Sequence, residues 1–241
     1  MKKILLYIFL PIVAGGMFSS CSDYLDVDKY FYDQLSIDSA FSKRKYVDGW
    51  LSNAFEPIQY ITEGEGMRRW MSDDIVKYEG RDYQNGNYSA STNNGDSENL
   101  LYKAYEAVRK ASTFIDNVDR CGELTQVEKA DMKGQMRFIR AYAYWSLIRH
   151  FGPVPLIPEH GLDVSLSYEE LSLPRASLDE IVEFIDQDLV IAARSLPMTR
   201  TVNNVGRPTR GAALALRARI LLWVASPLMN GNKDLFNVKD N

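Results

Sequence analysis

This chain of 241 residues holds little of what most enzymes need. Its two histidines, His150 and His160, stand in neither a His-x-x-x-His nor a His-Glu-x-x-His spacing, so a zinc site finds no support. No Gly-x-Ser-x-Gly elbow, phosphate loop or dinucleotide fingerprint occurs. Asp73-Asp74 and Glu169-Glu170 are neighbouring acids. Glycoside hydrolysis needs two carboxylates converging across a bond, often from distant sequence, so spacing alone leaves them open. Loop and helix-start acids explain both pairs more simply, and the expected class is a binder that is not an enzyme, with no cofactor and no metal. Basic residues are not in excess: 28 Lys and Arg face 32 Asp and Glu, for a net charge of −4. Without a basic patch to neutralise phosphates, nucleic acid is not an expected partner. The apolar run from Ile4 to Phe18 covers about fifteen residues, short for a membrane span.

That run has another use. Met1-Lys2-Lys3 is a positive start, the apolar stretch follows, and Phe18-Ser19-Ser20-Cys21 closes it. Small residues just before a cysteine look like a bacterial lipobox, although Phe18 stands where Leu is usual. The expectation is a signal peptide over 1–20 and diacylation of Cys21, the new N-terminus. Acyl chains contribute about 0.8 kcal/mol per buried methylene, and several together anchor a protein stably. A plain secretory signal with an incidental cysteine is the alternative. Loss of residues 1–20 removes Lys2 and Lys3 and no acid, leaving 26 basic against 32 acidic residues, a net −6. With Cys21 spent, Cys121 has no partner, so no disulfide framework is expected and Cys121 reads as a buried or half-buried thiol.

The remainder reads as helices and loops. Residues 21–38 form a tether. Ser39 to Gln59 predicts one helix on Phe41, Val47, Trp50, Leu51, Ala54, Phe55 and Ile58, its last turn bent or broken at Pro57. Residues 60–98 lack long apolar periodicity, except that Met67–Val76 could make a short helix or strand. A loop this long is usually functional or disordered. It carries Trp70, Tyr78, Arg81, Tyr83, Gln84, Asn85, Asn87 and Tyr88, aromatic faces mixed with amide and guanidinium donors. Sugars offer apolar faces to stack and hydroxyls to bond, so these residues are candidate carbohydrate contacts; an ordinary polar surface loop fits equally well. Overall aromatic content is 12%, and most of these rings fit the role of wedges between helices.

Ser97 is the expected N-cap of a helix on Leu101, Ala104, Tyr105, Val108, Ala111, Ile115 and Val118, ended by Cys121-Gly122. Thr125 and Glu128 fit a capping box. The helix that follows carries Met132, Met136, Ile139, Ala143, Leu147 and Phe151 on one stripe, with Ala141 and Ala143 small enough for close approach. Gly152 fits a left-handed C′ position, and Pro153 and Pro155 bar continuation. Residues 97–151 thus predict an antiparallel hairpin of tetratricopeptide-like kind. Ser177 and Glu180 form a second capping box before Ile181, Phe184, Ile185, Leu189, Ala192, Ala193 and Leu196, and Leu196-Pro197 stops that helix. Thr209 caps a last helix so apolar from Gly211 to Ala225 that burial all round is expected. Arg207, Arg210, Arg217 and Arg219 fit bidentate braces to carboxylates and loops better than an anion site.

Several of these segments resemble the SusD/RagB family of outer-membrane nutrient-binding lipoproteins. Phe151-Gly152-Pro153-Val154-Pro155 matches the family's helix-ending turn. Arg175, Ser177, Asp179-Glu180-Ile181, Asp188-Leu189 and Leu196-Pro197 match a second helix. Gly206-Arg207, Thr209, Gly211-Ala212-Ala213, Ala215-Leu216 and Ala218-Arg219 give the most specific match, and Ser22–Val27 resembles the mature start. The resemblance implies an all-α fold of TPR-like hairpins over 39–241 with long intervening loops. It implies a surface-exposed protein held on the outer membrane by acyl chains. Such a protein captures an oligosaccharide, or a peptide in some relatives, and passes it to a SusC-like TonB-dependent transporter. The match covers nearly all of this chain but only the family's N-terminal half, as expected of a fragment or of an early stop. A helical scaffold that docks the transporter without strong ligand binding is the alternative.

Overall fold

The computed structural model describes residues 36–67, 96–160 and 167–230. The chain divides into two units, Met1–Ala40 and Phe41–Asn241. In the first, the described part is one helical turn, α1 (Ile37–Ala40), started by the Ser36 hydroxyl, which accepts the Ser39 amide at 3.2 Å.

The second unit is helical. Its described elements are α2 (Arg44–Asn53), α3 (Glu56–Met67), α4 (Asp96–Asn117), α5 (Gln126–Phe151), the single turn α6 (Tyr168–Leu171), α7 (Leu178–Ser195) and α8 (Arg210–Val224). Short 3-10 turns occupy Val118–Arg120 and Val202–Asn204. Among the described residues the nearest thing to a sheet is one antiparallel bridge between Pro155 and Arg175. The architecture is serial: α3 packs on α4, α4 on α5, α5 on α7 and α7 on α8. Short connections between amphipathic helices make antiparallel neighbours, and the apolar stripes read from the sequence are the surfaces they bury.

The single helix expected over 39–59 is instead three. Phe41 leaves the helical path to fill a fully buried site, its ring 5.2 Å from Trp50 and 5.7 Å from Phe114. α2 then starts without a side-chain cap of its own. Glu123, far along the chain, supplies one: its carboxylate accepts the Arg44 amide at 2.7 Å, a negative charge where the helix dipole favours it. A turn at Ala54-Phe55 follows, and Pro57 falls in the first turn of α3, where its missing N–H costs nothing. α3 therefore runs on to Met67, into the stretch read as loop. Ser97 likewise lies inside the first turn of α4, which begins at Asp96, so it is not the cap.

Other local signals hold. Thr125 and Ser177 both form reciprocal capping boxes, with Glu128 and Glu180. The Thr209 hydroxyl accepts the Ala212 amide at 3.2 Å. Cys121 is fully buried, its thiol facing the Ser42 carbonyl at 3.9 Å. Gly152 has φ 65° but ψ −143°, so it is not the left-handed residue expected. It still requires positive φ, and it throws the chain into an extended exit instead of curling it back.

Burial departs from expectation at α8. The helix enclosed on several sides is α5, with Met136, Ala141, Ala143, Tyr144 and Leu147 all inaccessible. It lies between α4 and α7, and Gly134 allows the approach: a Cβ there would meet Ser195 Cβ at 3.1 Å. The more apolar α8 buries only Ala213, Leu216 and Ile220, and it leaves Leu222 at 74% exposure. Its sequence is apolar all round, but among the described residues it packs mainly on α7.

Candidate functional site

Three places come into question: the segment between α3 and α4, and two polar clefts. The helices that carry the segment are firmly joined. Lys103 Nζ lies 3.0 Å from Glu56 Oε1 and 3.1 Å from Glu106 Oε2, and the Trp50 indole N–H donates to the Lys110 carbonyl at 3.2 Å. Ile61, Leu100 and Ala104 are buried. α3 ends at Met67 and α4 begins at Asp96, so these two helices bound the segment.

The first cleft, of about 340 Å³, lies beside the exit from α5 and is lined by Arg137, Arg140, Ile157, Glu159, Phe184 and Asp188 among others. At its base Arg140 and Asp188 are 1% and 2% exposed. Arg140 donates from Nε and Nη2 to the two carboxylate oxygens of Asp188 at 2.7 and 2.9 Å. Its Nη1 donates to the Ser112 hydroxyl at 2.9 Å and the Glu159 carbonyl at 3.1 Å. Arg137 adds a bond to Asp188 at 2.7 Å and one to Glu159 at 3.0 Å, which holds the Glu159 carboxyl below the usual range. Phe184 lies under the Arg140 guanidinium at 4.8 Å. One buried guanidinium therefore joins α4, α5, α7 and the extended exit.

The exit itself is pinned residue by residue. The Tyr105 hydroxyl donates to the Pro155 carbonyl at 2.7 Å, and the Ile157 amide donates to the Tyr144 hydroxyl at 2.8 Å. Arg175 donates to the Pro153 carbonyl at 2.9 Å. Burial pushes the Tyr105 hydroxyl up to about 12 and raises that of Tyr144 as well. Arg137 and Arg140, the cations of the cleft, are consumed by Asp188 and Glu159, so the cleft is a structural clamp with little left to offer an anion.

The second cleft, of about 270 Å³, lies between α2, α5 and the 196–209 connector. Arg44 pairs with Glu128 through two bonds of 2.8 and 3.0 Å, which with the Thr125 bonds holds Glu128 at about 2. Arg200 pairs with Asp131 through bonds of 2.7 and 2.8 Å and donates to the Pro208 carbonyl at 2.6 Å. Arg207 donates to the Gln135 side-chain oxygen at 3.0 Å and lies over Phe55 at 5.6 Å. Arg217 grips Asp186 of α7 with bonds of 2.6 and 3.1 Å. Arg217 is the bidentate brace expected of it, whereas Arg207 bonds the neutral side chains of Gln135 and Ser52 and no carboxylate among the described residues. Arg210 and Arg219 form no ion pair among the described residues.

The sequence-based candidates Trp70, Tyr78, Arg81, Tyr83, Asn85, Asn87 and Tyr88 lie outside the described residues, as does Cys21. The clamp was missed, although Asp188 carries a signal. It interrupts the stripe Ile181, Ile185, Leu189, Ala192 at a position that must face inward, and a buried acid demands a buried cation. Among the described residues no group of three or more His, Cys, Asp or Glu is placed to hold a metal ion, and no helix is long and apolar enough to cross a membrane.

The described residues thus form a serial array of helices braced by arginines. Residues 23–222 match the SusD-like family described as starch-binding and associating with the outer membrane. The chain belongs to this family. It is 28% identical over 117 residues to the SusD-like protein P25 of Formosa agariphila, a stretch that is 48% of this chain and 21% of that one. A SusD-like protein of Bacteroides fragilis superposes with a TM-score of 0.64 at 25% identity, over 79% of this chain and 37% of that one. The surface glycan-binding protein A of Bacteroides thetaiotaomicron shares the fold, with a TM-score of 0.57 at 17% identity over 76% of this chain and 39% of that one. The chain thus spans about two-fifths of the solved relatives' length.

Proposed function

We propose that this protein is a lipid-anchored, surface-exposed outer-membrane lipoprotein. It binds an oligosaccharide and delivers it to a SusC-like TonB-dependent transporter. The observation that carries this reading is the family match over residues 23–222 on a helical framework of the same fold. Cys21 takes the acyl chains after loss of residues 1–20, residues 21–38 are the tether, and 39–241 form the binding region. Ligand contact falls to Trp70, Tyr78, Arg81, Tyr83, Asn85, Asn87 and Tyr88, whose rings stack on sugar faces while their amides and guanidinium bond hydroxyls. The helices contribute affinity indirectly, since a braced framework lowers the cost of ordering a loop on binding.

The test is electrophoresis of the chain in native gels with and without soluble polysaccharides, starch first, beside metabolic labelling with palmitate. Retarded migration in one polysaccharide, with label lost on Cys21→Ala, supports the reading. Unchanged migration across a broad panel, with label retained in the wild type, leaves an anchored scaffold that docks the transporter without strong ligand binding.

A further inference from the structure

The second cleft holds two charges that the framework leaves unmatched. Arg44 and Arg200 each meet a carboxylate there through two bonds. Arg207, half-buried in the same cleft, meets none among the described residues. Its guanidinium donates to the Gln135 side-chain oxygen at 3.0 Å and to the Ser52 hydroxyl at 3.4 Å, both neutral acceptors. A guanidinium carries five N–H donors, so these bonds leave most of its capacity and all of its charge unspent. The group is nevertheless held in place. Gln135 is 2% exposed, and its amide N–H donates to Asp131 Oδ2 at 3.1 Å, which leaves the amide oxygen facing Arg207. Asp131 is fixed in turn by Arg200, and the Phe55 ring lies beneath the Arg207 guanidinium at 5.6 Å.

Asp48 of α2 is the opposite case. It lines the cleft half-buried and has no hydrogen bond or ion pair with another described residue. Arg44, one turn back, feels its charge but is taken by Glu128. Ser52, which Arg207 reaches, stands one helical turn beyond Asp48, a separation of about 5–6 Å between Cβ atoms. The unmatched carboxylate and the unmatched guanidinium therefore face one small space. Leu51 and Met132 line it too, at 3% and 8% exposure, and give it an apolar floor. Its volume of about 270 Å³ lies just under the ~300–1,000 Å³ of pockets that hold drug-sized ligands, room for one small molecule.

An anion alone gains from Arg207 and loses against Asp48, and a cation alone does the reverse. A molecule with both charges on neighbouring atoms gains from each. We propose that this cleft binds a small zwitterion, a free α-amino acid with an aliphatic side chain. Its carboxylate takes charge-assisted bonds from Arg207, its ammonium donates to Asp48, and its side chain covers Leu51 and Met132. The inference rests on neither the glycan reading nor the anchor.

The experiment is equilibrium dialysis of the 241-residue chain against four labelled compounds. Leucine carries all three features; leucinamide lacks the carboxylate, N-acetylleucine the ammonium and glycine the side chain. Leucine is expected to bind saturably, and the other three more weakly by roughly tenfold or more. Asp48→Asn lowers leucine to the level of N-acetylleucine, and Arg207→Gln lowers it to the level of leucinamide. Asp48 bonds no described residue, so Asp48→Asn melts with the parent and its loss of binding is not loss of fold. No binding of leucine, affinity for any of the other three equal to that for leucine, or leucine binding that survives Asp48→Asn overturns the proposal.

Discussion

Replacing Asp188 by alanine tests whether the buried clamp is a structural centre. The carboxylate accepts three charge-assisted bonds, two from Arg140 and one from Arg137, none longer than 2.9 Å. Arg140 has almost no access to water, so its charge would remain in the interior without a counter-ion. Removal of one partner from a buried ion pair costs about 3–5 kcal/mol, most of it the penalty of the stranded charge. Against a total stability of about 5–15 kcal/mol this is a large share. For a domain of this size each kcal/mol moves the melting temperature by about 2–4 °C, so a fall of about 10 °C is expected. Urea unfolding followed by circular dichroism gives the free energy directly. The double replacement Arg140→Met with Asp188→Leu removes both charges and restores much of the loss, because an apolar pair needs no desolvation. An Asp188→Ala loss below about 1 kcal/mol, the range of an exposed pair, would refute the reasoning.

Gly152→Ala forces a side chain onto a positive φ, and chemical denaturation is expected to show a loss of about 1–3 kcal/mol with the helical spectrum unchanged. Burial raises the Tyr105 hydroxyl from 10 to about 12, so the folded state holds that proton more tightly than the unfolded chain. Its contribution is complete below pH 10 and is lost as pH rises through 12; in alkaline denaturation Tyr105→Phe removes part of that fall. The Arg44 bond, helped by Thr125, depresses Glu128 from 4.5 to about 2. Here the contribution is present above 4.5 and disappears as pH falls toward 2, so the stability gap between the parent and Glu128→Gln closes across that window.

Local chemistry was the legible part of the fold. Thr125 with Glu128, Ser177 with Glu180 and the Thr209 cap are each decided by neighbours within one turn, and all three form. Gly152 and its prolines ended α5 where expected. What escaped was set by contacts far apart in sequence. The cap on α2 comes from Glu123, and the packing of Phe41 against Phe114 breaks a helix whose periodicity ran through it. α8 looked like the buried helix because hydropathy reports what a face can bury, not whether a neighbour is present. α5 carries a charge into the core, and Arg140 is neutralised there by an acid 48 residues away. The family was legible from motifs at turns and caps. The candidate ligand residues, by contrast, rested on composition alone.

The proposal at the centre of this account is that residues 68–95, between two braced helices, bind a glycan. Calorimetric titration of a polysaccharide that retards the chain, into the parent and into a Trp70→Ala, Tyr83→Ala, Tyr88→Ala variant, tests it most directly. The account predicts a saturable heat for the parent and its loss in the variant, with the two proteins melting at the same temperature. A variant that melts with the parent and binds the polysaccharide equally well would contradict it.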